Sequence, residues 1–112
     1  MRKFAHVGIE PSGTLAETAA LLGRVLGGLV FVEDTRRLFD EFPAYVAKDA
    51  GVRYALLGIP APEDDVREVR TDDFELLVEP LSSHGDGEKK DISAELLSKI
   101  ERDGRLRCWS LK

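Results

Sequence analysis

An α+β fold, one mostly antiparallel sheet of five to six strands with two helices packed against it, is what this sequence predicts. Three observations carry that expectation. Two helical patterns stand far apart in the chain, near residues 15–26 and 93–103. Short apolar and β-branched runs lie around and between them, and strands that follow one another through short links pair antiparallel. The chain has 112 residues, 43% hydrophobic and 33% charged, which gives room for one core and one domain over 1–112.

Phe4-Ala5-His6-Val7-Gly8-Ile9 is short and apolar and ends at Pro11-Ser12-Gly13, so it reads as a first strand with a turn after it. Thr14 and Glu17 form a Thr-x-x-Glu capping box, which satisfies two free backbone donors at a helix start. Leu15, Ala19, Leu22, Val25 and Leu26 recur at helical spacing, and Gly27-Gly28 supplies the stop. Leu29-Val30-Phe31-Val32 reads as a strand by its β-branched and aromatic residues. Glu33 to Asp40 is polar and mixed, a turn or a single helical turn.

Pro43–Lys48 and Val52–Ile59 face each other across Asp49-Ala50-Gly51, a link whose glycine suits a hairpin turn. A helix over Pro43–Ala50 is the competing reading, since proline is welcome in a first helical turn. Pro60–Asp65 is a loop, and Phe74–Glu79 is a strand stopped by Pro80. Ser82–Lys90 is polar and glycine-rich, hence a surface loop. The second helix opens at Asp91 or Ser93, turns Leu96, Leu97 and Ile100 inward, pairs Glu95 with Lys99 and ends at Gly104. Leu106–Leu111 is the last strand, with Leu106 and Cys108 on one face and Trp109 and Leu111 on the other.

Catalytic signatures are absent. No serine stands in a Gly-x-Ser-x-Gly elbow, and Cys108, the single cysteine, reads as a small strand hydrophobe rather than a partner for His6 or His84. One cysteine allows neither an internal disulfide nor a cysteine-based zinc site, which fits a reducing compartment. His84-Gly85-Asp86-Gly87-Glu88 lacks the spacing of a calcium loop and reads as solvated. Gly23, Gly27 and Gly28 fall at a helix end, whereas phosphate cradles need a helix start. Paired acids such as Asp64-Asp65 and Asp72-Asp73 sit in loops where water keeps both ionised. The sequence therefore predicts no enzyme, no cofactor and no metal. The N-terminal residues lack the apolar run of a signal peptide, and Leu15–Val32 is too interrupted to span a bilayer, so a cytoplasmic location is expected.

Charge is more informative. The formal net charge is -5, which argues against direct nucleic-acid binding. Residues 1–56 are neutral, with seven basic and seven acidic groups. Residues 57–91 hold four basic and eleven acidic groups, a net of -7, and residues 92–112 carry +2. The acids cluster at Glu63, Asp64, Asp65 and Glu68 and at Asp72, Asp73 and Glu75, beside the apolar Val66, Val69 and Phe74. A solubilising edge would look like this, and so would a surface that attracts a basic partner.

Three stretches carry a family likeness: Phe39-Asp40-Glu41-Phe42-Pro43-Ala44-Tyr45-Val46-Ala47, Gly51–Pro60 and Phe74-Glu75-Leu76-Leu77-Val78. Over about residues 29–80 the chain resembles immunity proteins of bacterial contact-dependent growth inhibition systems. The resemblance implies a protein that binds the C-terminal toxin domain delivered by sister cells, often a nuclease, and blocks it. It implies no binding residue by motif. The expected contacts, Glu63, Asp64, Asp65, Asp72, Asp73 and Glu75, come from the charge map. The expected partner is a toxin domain with a basic surface, with no membrane and no nucleic acid bound directly. Two alternatives stay open: a small-molecule-binding or regulatory domain, and a small hydrolase built on paired carboxylates.

Overall fold

A computed structural model describes residues 2–35, 42–49, 51–59, 73–81 and 89–111. Its strands are β1 (Arg2–Ile9), β2 (Val32–Glu33), β3 (Ala44–Asp49), β4 (Val52–Leu57), β5 (Phe74–Pro80), β6 (Lys89–Asp91) and β7 (Cys108–Ser110). Its helices are α1 (Leu15–Val25) and α2 (Ser93–Asp103). They form one sheet in the order β2-β3-β4-β5-β1-β6, with β7 also on β1. All pairings are antiparallel except β1 with β6. The α+β architecture read from the sequence is therefore the one observed.

Alternation sets the core. Ala5, Val7 and Ile9 of β1 stand opposite Val78, Leu76 and Phe74 of β5, and Leu56 and Tyr54 of β4 continue the same rows. This face packs against Ala19, Leu22, Val25 and Leu26 of the first helical segment and Leu96 and Ile100 of α2. Burying each large aliphatic side chain there contributes about 1.5–3 kcal/mol. Helix α1 starts where the capping box predicts: the Glu17 backbone N–H donates to Thr14 Oγ1 (3.1 Å), and the Thr14 N–H donates to Glu17 Oε1 (3.0 Å). Thr18, fully buried, donates its hydroxyl to the Thr14 carbonyl (2.9 Å) and accepts from the Ser12 N–H (2.9 Å), tying the turn to the helix.

The hairpin reading of residues 43–59 holds, and the helical alternative does not. Asp49 pairs with Val52, so the link is the two residues 50–51, with Gly51 at φ 77°. Tyr45 and Tyr54 pack on the main core, as their strand positions imply, and Phe42 packs on a second apolar group on the other face.

Four expectations shift. The strand expected at Leu29–Val32 is Val32–Glu33, because the Leu29 N–H returns to the Gly23 carbonyl (2.9 Å) to close the helix end. Lys89-Lys90, read as the end of a loop, form a strand with Asp91, since pairing with β1 supplies the order that their polar sequence lacks. Glu95 pairs with Lys90 (2.9 Å) rather than Lys99, because β6 brings Lys90 to the start of α2. The last strand is shorter than 106–111, as the tight turn after Gly104 consumes residues 105–107. Asp91 does serve the helix start, accepting the Ser93 N–H at 2.9 Å, and Gly104 ends α2 in the left-handed conformation. Residues 36–40, the loop at 60–65 and residues 82–88 lie outside the described residues.

The outer edge of β1 is fully used. Its first half pairs with β6, and the Phe4 carbonyl accepts from the Ile92 N–H at 2.8 Å. At its middle, the His6 N–H donates to Ser93 Oγ (3.1 Å) and the His6 carbonyl accepts from the Leu111 N–H (3.3 Å). Its last residues pair with β7, and the Glu10 N–H donates to the Arg107 carbonyl at 2.9 Å. Buried backbone groups must be paired somewhere. Here β6, α2 and β7 together do it, and that pins the C-terminus of α2 beside the end of β1.

Candidate functional site

Where β1 ends, β5 begins, α2 ends and β7 begins, an open cleft of about 540 Å³ forms. Glu10, just after β1, Asp73, just before β5, and Glu101 of α2 line it, with the apolar Leu106, Cys108 and Trp109. Among the described residues, the cation facing these acids is Arg107, whose guanidinium lies 3.8 Å from Glu10 Oε2 with its side chain 86% exposed. An ion pair that open to water holds weakly.

Trp109 is placed by Gly8. The two are register partners on the helix-free face, and a Cβ at Gly8 would overlap the indole ring. Glycine is therefore what lets the ring lie on the strand. Gly8 in turn pairs with Glu75 on its other side, so one row across the sheet reads Trp109, Gly8, Glu75. Glu75 Oε2 is 3.2 Å from His6 Nε2, a diagonal cross-strand pair with both side chains about half exposed. On the same face Arg53 and Glu79 are direct cross-strand partners, Nη2–Oε2 3.0 Å.

Cys108 lines the cleft from the core side. Its thiol points at the Leu97 carbonyl, Sγ–O 3.8 Å, and burial, followed by the Glu101 carboxylate, pushes its pKa up. A thiol held protonated is a poor nucleophile. Among the described residues no three His, Cys, Asp and Glu side chains come together as a metal site, and no helix is long and apolar enough to cross a membrane.

Of the six acidic residues singled out in the sequence, Asp73 lines this cleft and Glu75 stands in the adjacent row. Glu63, Asp64, Asp65 and Asp72 lie outside the described residues, as does the His84–Glu88 loop. Glu10, Glu101, Arg107 and Trp109 escaped the sequence reading, because they meet only through the fold. The available signal was the pairing of the single tryptophan with a strand glycine. No family model, curated protein or solved structure matches the chain. The arrangement can attract positive charge and offer an aromatic surface. It offers no nucleophile with a partnered base.

Proposed function

We propose that this chain is a small stoichiometric inhibitor of the immunity type. It binds a basic toxin domain, a nuclease being the target the resemblance implies, and blocks it without catalysis in the cytoplasm. The observation that supports this most is that Glu10, Asp73 and Glu101 border one open cleft together with Trp109, with Glu75 in the next row. A nuclease must hold phosphates with cationic groups, and an acidic surface with an aromatic at its centre can occupy them. The acidic stretch at 57–91 adds a field of the same sign, which speeds association and selects the partner.

The cleft's volume lies in the range of small-ligand pockets, but such pockets are mainly apolar and three acidic residues line this one. Protein binding therefore fits better than metabolite binding.

The test is co-purification with the C-terminal domain of a large secreted toxin encoded in the neighbouring reading frame. A one-to-one complex that abolishes toxin activity is expected. Reversing Asp64, Asp65, Asp72 and Asp73 to Lys should slow association, most at low salt. A neighbouring frame that encodes metabolic enzymes, or unchanged association of the reversed variant, would overturn the reading or its site respectively.

A further inference from the structure

Among the described strands β2 ends the sheet, with β3 on its inner side. The Asp34 N–H donates to the Ala44 carbonyl (2.9 Å) and Val32 stands opposite Val46, so alternation turns the backbone groups of Phe31 and Glu33 outward. An edge of that kind is a template for another strand. Its side chains favour one. Val30 and Val32 are 77% and 59% exposed on the helix-free face, where Val46 continues the row of Val32, while Phe31 between them packs on the main core. The other edge is guarded against pairing by cations, since β6 carries Lys89 and Lys90 and Arg107 precedes β7. No cation stands in residues 29–35. We infer that two copies of this chain pair antiparallel through β2, about a two-fold axis at Val32.

A second copy of the same edge is the occupant that fits. With the axis at Val32, that residue meets Val32 of the other copy, Phe31 exchanges both backbone hydrogen bonds with Glu33, and Val30 lies opposite Asp34. No acid then faces an acid. The strand also belongs to the neutral stretch 1–56, with seven basic and seven acidic groups, while the acidic excess falls in 57–91. An axis at Phe31 would ask the Leu29 N–H for a bond that it already gives to the Gly23 carbonyl (2.9 Å). A two-fold pairing closes on itself, uses up both edges and covers the valines. It leaves the cleft, at the other end of each sheet, open to a partner. A pairing of this length buries less than the about 800 Å² per partner of a standard interface, so the dimer dissociates on dilution.

Sedimentation equilibrium on the full chain, from about 10 µM to about 1 mM, should show the mass rising from one copy to two, with amide exchange at Phe31 and Glu33 slowing in step. Val32→Lys and Val32→Glu each set like charges against each other across the axis and should weaken the dimer at least about tenfold. Mixing the two variants should restore it, because lysine then faces glutamate. Leu81→Lys, at another exposed apolar residue, should change it less than about twofold. Far-UV spectra confirm that each variant is folded, and where one is not, the exchange at Phe31 and Glu33 in the native chain decides. A mass of one copy throughout, a dimer indifferent to Val32→Lys, one broken equally by Leu81→Lys, or a mixture that stays monomeric overturns the inference. So does a monomer whose Phe31 and Glu33 amides become protected only with the proposed toxin domain, since that assigns the edge to the partner. The dimer is measured on the chain alone, so the inhibitor reading stands or falls separately.

Discussion

The two faces of the sheet are built for different ends. On the helix-covered face, Ala5, Val7, Ile9, Leu56, Leu76 and Val78 are almost completely buried and belong to the main apolar cluster. The opposite face is divided. Toward β3 and β4 it carries a small buried group, Ala44, Val46, Ala55 and Leu57. Along β5, β1 and β7, and at Arg53 of β4 beside Glu79, it carries His6, Glu75, Arg53, Glu79 and Trp109, charged or aromatic and partly exposed. The same strands serve both sides, because successive side chains alternate. Stability concentrates on the helix-covered face, and the proposed partner would meet the charged half of the other.

The sharpest way to break that comparison is to truncate neighbouring residues of β5. Leu76→Ala empties a fully buried site and should cost about 2–5 kcal/mol, measured by chemical denaturation. Leu77→Ala, its neighbour on the half-exposed face, should cost markedly less. Equal losses would mean that both faces carry the fold. Gly8→Ala comes next. A methyl group there must displace the Trp109 ring, and overpacking of this kind costs about 1–3 kcal/mol. The tryptophan emission should shift with it, while the core near Leu76 stays intact.

The smallest effect lies at the start of α1, remote from the charged face. The Glu17 carboxyl is held below its ordinary value, first by the Thr14 backbone N–H and then by the Thr14 hydroxyl. A depressed folded pKa means that the contribution is complete above the unfolded carboxylate value and fades as pH falls through the folded one. The difference in melting temperature between the native chain and Glu17→Gln should therefore shrink on acidification. A difference that grows instead would show that the carboxylate is not what the cap holds.

How much of this was readable in advance follows from the range of each interaction. The Thr14–Glu17 box, the Gly104 stop and the 43–59 hairpin are local, and the sequence carries them in spacing and turn chemistry. Strand β6 was not readable, because Lys89-Lys90-Asp91 has no apolar alternation and is ordered only by β1. The Leu29–Phe31 run misled for a related reason: its β-branched and aromatic composition favours a strand, but its backbone is drawn back to Gly23. At the candidate site, charge clustering along the chain singled out Asp73 and Glu75. It could not reach Glu10 or Glu101, which are distant in sequence and adjacent only once β6, α2 and β7 close on β1.

Hydrogen exchange, recorded on the chain alone and with the toxin domain proposed as its partner, tests the division of labour most directly. The helix-covered strands should be protected in both states. New protection on binding should appear around Glu10, Asp73–Glu75 and residues 106–110. The β2 edge is the rival surface, since Val30 and Val32 are 77% and 59% exposed there. New protection confined to residues 30–33, with none at the cleft, would contradict the account.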